Sequence, residues 1–209
     1  MILLLATRNP GKLVELQRIL DAELAPGRVR LIGLADVEPY DERPETGRTF
    51  AENALLKARE GVQHTGLPTV ADDSGLTVEA LGGMPGVLSA RWSGCTDADR
   101  LTRDRAHTAL VLAQISDVDD AHRGAAFVCA AALVLPDGRE FTVEGVMRGR
   151  LTRSPRGSGG FGYDPIFVAD GYAQTSAELA PDEKDAISHR GRALRALAPL
   201  IARELPGRS

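Results

Sequence analysis

Residues Gly124 to Met147 read GAAFVCAAALVLPDGREFTVEGVM, two apolar runs (Gly124 to Leu135 and Arg139 to Met147) on either side of Pro136-Asp137-Gly138. Asp-Gly accepts the positive backbone angles of a tight turn, so the stretch predicts a β-hairpin and an antiparallel strand pair. The chain opens differently. Ile2 to Ala6 is a short apolar run that reads as a buried strand, and Pro10 opens a helix through Leu20, since proline is tolerated where helix amides lack partners. Leu13, Leu16 and Leu20 supply that helix with an apolar stripe. A strand–helix opening followed by a later hairpin predicts an α/β fold, a mixed β-sheet with flanking helices.

Between these landmarks, Gly33 to Gly47 reads as a loop carrying Pro39 and Pro44. Thr49-Phe50-Ala51-Glu52 then matches a capping box opening a helix toward Val62, on which Asn53 and Lys57 share one face. Thr69 to Ala71 and Leu76 to Ala80 read as strand segments flanking an Asp72-Asp73-Ser74-Gly75 turn, and Gly82 to Gly86 breaks the chain again. Helices are predicted from about Asp99 to Ile115 and from Ser188 to about Leu205.

At 209 residues the chain fits a single domain, residues 1–209, able to bury about 70% of the surface its unfolded form exposes. A formal charge of −4 lacks the basic excess of a protein that grips a nucleic-acid backbone, so no nucleic-acid partner is expected and any nucleotide bound is a small molecule. The two cysteines, Cys95 and Cys129, have no metal-ligand spacing and read as buried thiols. The apolar start is too short for a membrane span and lacks a basic leader, which points to a cytoplasmic protein with no membrane partner.

Four segments, together with Glu45, carry chemistry. Thr7-Arg8-Asn9-Pro10-Gly11-Lys12 sets a hydroxyl, an amide and an ammonium beside the open N–H groups of a helix start, the parts needed to cradle a phosphate; the alternative is that Thr7 or Asn9 only caps the helix and Lys12 is solvated. Asp72 and Asp73 are adjacent, so in extended backbone they point to opposite faces, and one can hold Mg²⁺ or accept a proton from water while the other is structural. Glu45 is a further oxygen ligand or a solvated side chain. In Gly159-Gly160-Phe161-Gly162-Tyr163-Asp164-Pro165, three glycines surround an aromatic ring, and Phe161 either stacks on a flat base or plugs the core, as does Tyr163. Lys184 and Ser188-His189-Arg190 gather donors suited to carbonyl oxygens of a ligand, or form an exposed basic helix start. His64, His107 and His122 follow no metal-ligand pattern.

Taken together, these motifs resemble the inosine triphosphate pyrophosphatase family, in particular its bacterial dITP/XTP pyrophosphatase branch. The match runs almost end to end through Thr7 to Lys12, Glu45-Thr46-Gly47, Phe50 to Arg59, Ala71 to Leu76, Gly82 to Gly86, Ser89 to Gly94, Gly159 to Pro165 and Ser188 to Gly191. The resemblance implies a central mixed sheet joining two lobes around a nucleotide cleft, a homodimer, and Mg²⁺-dependent hydrolysis of ITP, dITP and XTP to the monophosphate and pyrophosphate, which clears deaminated purines from the nucleotide pool. It further implies that Thr7, Arg8, Asn9, Pro10, Gly11 and Lys12 bind the triphosphate together with Lys57. By the same resemblance Asp73 is the base and, with Glu45, a metal ligand; Ser74, Phe161, Gly162, Tyr163, Asp164, Lys184, His189 and Arg190 contact substrate. The chain departs from the family pattern in a longer segment, Cys95 to Arg105, and in His107, where relatives often carry asparagine. A related pyrophosphatase of the septum-formation-inhibitor type, or a nucleotide sensor without turnover, are the competing readings.

Overall fold

The computed structural model describes residues 1–24, 27–41, 43–97 and 99–205; position 42, within the loop read over Gly33 to Gly47, and position 98, within the longer segment Cys95 to Arg105, lie outside them. Six strands are found among the described residues: β1 (Ile2–Leu5), β2 (Arg30–Ile32), β3 (Thr69–Val78), β4 (Gly124–Val134), β5 (Glu140–Leu151) and β6 (Phe167–Ala169). They pair in the order β2-β1-β3-β4-β5-β6, with β1 parallel to β2 and β3, and β5 antiparallel to β6, so the sheet is mixed as its strand–helix opening and later hairpin predict. The helices are α1 (Pro10–Glu23), α2 (Phe50–Thr65), α3 (Arg100–Gln114), α4 (Pro181–Ile187) and α5 (His189–Glu204). The chain divides into two compact units, one of Met1–Asp73, Cys129–Gly145 and His189–Ser209, the other of Ser74–Val128 and Val146–Ser188.

In the first unit, Asn9 caps α1 by accepting the Gly11 N–H at 2.9 Å. Leu16 and Leu20 are buried in a core with Leu3 and Leu5 of β1 and Leu194 and Leu197 of α5, while Leu13 packs at its margin. Full burial of such a side chain is worth about 1.5–3 kcal/mol, which fixes the face α1 turns inward. At α2, Thr49 Oγ1 accepts the Glu52 N–H at 3.1 Å. The return bond of the capping box is displaced by one residue: Glu52 Oε2 accepts from Arg48 N–H at 2.6 Å. The helix passes Val62 and ends at Gly66, whose φ of 67° is left-handed. The hairpin turn closes with Leu135 N–H donating to Arg139 O at 2.9 Å, and Gly138 takes φ 89°.

Two expectations are corrected. Asp72-Asp73-Ser74-Gly75 is not a turn between strand segments but the middle of one ten-residue strand, β3. Neighbours on both edges, β1 and β4, offer ladder partners that outweigh the local turn preference of Asp-Ser-Gly. Of the two thiols, Cys129 is buried, whereas Cys95 is only partly so.

The second unit has its own core, in which Leu76, Val111, Phe127, Met147 and Phe167 are buried and the Phe127 and Phe167 rings lie 4.6 Å apart at 54°. Arg123 is buried there. Its guanidinium donates to the carbonyls of Ile115 at 2.7 Å, Thr152 at 2.8 Å and Leu151 at 3.1 Å, so it satisfies a carbonyl at the end of α3 that has no helical partner. Arg123→Leu keeps the bulk and removes all three donations, leaving the Ile115 carbonyl with the Val118 N–H alone. It is expected to lower stability by roughly 3 kcal/mol, read as a shifted urea midpoint; an unchanged midpoint would refute this role. His107 is likewise structural: its Nδ1 accepts the Ser93 N–H at 3.0 Å and its Nε2 lies 3.2 Å from Ala90 O, a donor–acceptor pair that an asparagine amide also provides.

Candidate active site

The strand period places Asp72 and Asp73 on opposite faces of β3, and each meets a different set of partners. Asp72 is 5% exposed. Lys12 Nζ donates to both its carboxylate oxygens at 2.8 Å, and Arg190 Nε lies 3.4 Å from Oδ2. Burial alone raises its pKa, but the Lys12 and Arg190 cations outweigh that and hold the carboxyl well below the usual range. Cys129 Sγ lies 3.9 Å from the same carboxylate, and burial together with the Asp72 charge pushes its thiol up, so it is not a thiolate nucleophile.

Asp73, 8% exposed, faces α2. Asn53 Nδ2 donates to Oδ2 at 3.0 Å and Lys57 Nζ to Oδ1 at 3.1 Å. The shared helix face read from sequence is therefore what holds this carboxylate. Lys57 Nζ also reaches Glu45 Oε1 at 2.9 Å, and Asn53 Oδ1 accepts the Gly47 N–H at 2.7 Å, so both side chains tie the loop bearing Glu45 to Asp73. Burial raises the Asp73 pKa; Lys57 opposes it and Glu45 adds to it, with the net direction upward. For Lys57, burial acts downward and is outweighed by Asp73 and Glu45, so the amine stays charged. A cavity of about 330 Å³ opens here, lined in part by Glu45, Thr46, Asn53 and Lys57.

The donor set suits a hard cation. Glu45 and Asp73 already share one positive group, the Lys57 ammonium. Among the described residues no group of three His, Cys, Asp or Glu side chains gathers. Two carboxylates leave the remaining positions to water and phosphate oxygens, the mode in which Mg²⁺ commonly binds beside a phosphate.

The helix start holds the rest of the phosphate candidates. Thr7 Oγ1 accepts the Asn9 N–H at 3.2 Å, so Thr7 and Asn9 both serve as local caps, and Arg8 is exposed. Lys12 is not solvated, as the alternative reading had it, because Asp72 holds it. Among the described residues its two hydrogen bonds both go to Asp72, and an ammonium carries three N–H groups.

In the second unit, Phe161 is 47% exposed, which excludes the reading of it as a core plug. Tyr163 is the plug: it is 4% exposed and its hydroxyl donates to Ser89 O at 2.8 Å, which anchors the loop. The Asp164 side chain is buried too. Its Oδ2 accepts the Phe161 N–H at 2.7 Å and Lys184 Nζ at 2.6 Å, and Lys184 Nζ lies 5.1 Å from the Phe161 ring centroid. Gly160 has φ 70°, and any Cβ there would run into Asp164 and Lys184, so the loop requires glycine. Ser74 follows Asp73 on β3 and is partly buried.

Of the donors read from sequence near the final helix, Lys184 in the second unit pairs with Asp164, while His189 and Arg190 open α5 in the first, where Arg190 pairs with Asp72. Only Ser188 stands between the end of α4 and the start of α5.

The profile of the Ham1 family matches residues 3–200. The chain belongs to the Ham1 family. A dITP/XTP pyrophosphatase of Mycobacteroides abscessus is 60% identical over 201 residues, covering 96% of this chain and 95% of the relative. Another from Nocardia farcinica is 61% identical over 199 residues, covering 95% and 94%. The solved structure of a HAM1 protein from Coxiella burnetii is 40% identical, with a TM-score of 0.84 and coverage of 97% of this chain and 99% of that one. Among the described residues, no helix is long and apolar enough to cross a membrane.

Proposed function

We propose that this Ham1-family chain hydrolyses the non-standard purine nucleoside triphosphates ITP, dITP and XTP to the monophosphate and pyrophosphate, with Mg²⁺, acting as one domain over residues 1–209 and as a cytoplasmic homodimer. The observation that carries the reading is Asp73, a buried carboxylate of raised basicity held by Asn53 and Lys57 beside Glu45. The names of relatives near 60% identity support the same reaction.

A water oxygen attacks the α-phosphorus, its proton passes to Asp73, and the bond from that phosphorus to the α,β-bridging oxygen breaks, releasing pyrophosphate. Glu45 and Asp73 would hold Mg²⁺, which would supply charge neutralisation at the phosphate oxygens. Lys57, the third N–H of Lys12 and the turn Thr7, Arg8, Asn9, Pro10 and Gly11 bind the remaining phosphate oxygens. Ser74 adds a hydroxyl. In the second unit, Phe161 stacks on the purine, Gly162 lets the loop approach it, Asp164 orients Lys184, and Lys184 donates to the 6-keto oxygen.

The test is substrate choice. A 6-amino group presents donor to donor where hypoxanthine and xanthine present an acceptor, so ITP, dITP and XTP are expected to be hydrolysed at least about tenfold more efficiently than ATP. GTP shares the 6-keto group and is the stricter competitor; its exclusion must come from the 2-amino group. Pyrophosphate release measured as kcat/KM across the five nucleotides decides it: comparable values for ITP and ATP would remove the base reading, and binding without release would make the protein a sensor.

A further inference from the structure

The nucleotide reading leaves α3 without a task, yet one stripe of that helix grips the peptide beside Phe161. Asp104 Oδ2 accepts the Gly162 N–H at 2.8 Å, and Thr108 Oγ1 donates to the Gly162 carbonyl at 3.4 Å. One turn before them, the Arg100 guanidinium carbon stands 4.6 Å from the Phe161 ring centroid, and Arg100 Nε is 3.8 Å from Asp104 Oδ2. Residues 100, 104 and 108 lie four apart and so share a helix face. Apart from its chain neighbours, no atom lies within 4 Å of where a Cβ on Gly162 would stand, and its peptide is held by the hydrogen bonds to Asp104 and Thr108.

We propose that Asp104 is a positioning residue for purine recognition: through the Gly162 N–H and through Arg100 it fixes the half-exposed Phe161 ring before a base arrives. The proposal rests on the reading of Phe161 as the stacking platform. A platform ordered in advance avoids the entropy cost of ordering on binding, so the gain appears in substrate affinity. Because Asp104 acts only through Gly162 and Arg100, its loss is expected in KM while kcat holds.

A double-mutant cycle on ITP hydrolysis tests it, with wild type, Asp104→Ala, Phe161→Ala and the double variant. Asp104→Ala is expected to raise KM about tenfold with kcat within about twofold, and to have less than about a twofold effect once Phe161 is alanine. Asp104→Asn keeps an acceptor oxygen for Gly162 and should stay within about threefold of wild type. An equal loss in both Phe161 backgrounds, a fall in kcat with KM unmoved, or an asparagine variant as poor as alanine overturns the positioning role. A Phe161→Ala protein with wild-type KM overturns the platform reading itself, and the proposal with it. The Asp104 side chain is partly exposed, and Asp104→Ser serves the same cycle if the alanine variant does not fold.

Discussion

Asp73→Asn is expected to lower kcat for ITP by about a thousandfold at saturating Mg²⁺, within the range by which general-base removal slows proton transfer, while the protein remains folded. The amide oxygen can still accept the Asn53 N–H, so the contact to α2 survives at one atom. The other atom becomes an NH₂ facing the Lys57 ammonium, which now meets a donor where it had an acceptor. What is lost is the ability to take a proton from water, together with one of the two carboxylates near the Lys57 ammonium. Circular dichroism and a urea midpoint establish folding, and pyrophosphate release establishes turnover. Turnover within a few-fold of wild type would remove Asp73 from the role of base.

The same pair of residues shows how far a sequence carries such a site. Strand periodicity alone assigns Asp72 and Asp73 to opposite faces, and helix periodicity alone puts Asn53 and Lys57 on one face; the structure joins those two local facts at Asp73. The hairpin was legible because Asp137-Gly138 encodes its own backbone angles. Partners far apart in the chain were not. Lys12 and Asp72 are 60 residues apart and Arg190 and Asp72 are 118 apart, so no spacing rule links them. Arg190 was therefore grouped with Lys184, its neighbour in sequence, although the end of α4 sends the two to different partners. The Asp-Ser-Gly turn failed for a related reason: local turn chemistry is a weak preference, and β3 gains ladders on two edges that no local window reveals. Asp104 could have been noticed from its four-residue spacing to Arg100 and Thr108, but nothing local tells that stripe from any exposed helix face.

Asp72→Asn is expected to act on stability far more than on turnover, costing about 3 kcal/mol, the scale for removing one partner of a buried ion pair. The carboxylate is almost wholly enclosed, and its two cations, Lys12 and Arg190, have side chains only 21% and 14% accessible. Without the negative charge these cations lie close together with little water to screen them, and the start of α1 loses its tie to β3. The pH dependence gives the claim a sign. The native pKa of Asp72 lies below its unfolded value, chiefly because Lys12 and Arg190 overcome the cost of burial, so the unfolded chain binds more protons in that window. Its contribution is fully present above the ordinary carboxylate value of about 3.9 and is lost as pH falls toward the lower native value. The difference in unfolding free energy between wild type and Asp72→Asn should therefore be constant from about pH 7 to pH 5 and narrow below about pH 4. Since asparagine does not titrate, groups common to both proteins cancel in that difference, including Asp73, whose shift has the opposite direction. A difference that stays level down to pH 3 would mean that Lys12 and Arg190 do not hold Asp72 as an anion, and the ion-paired cluster would lose its electrostatic account.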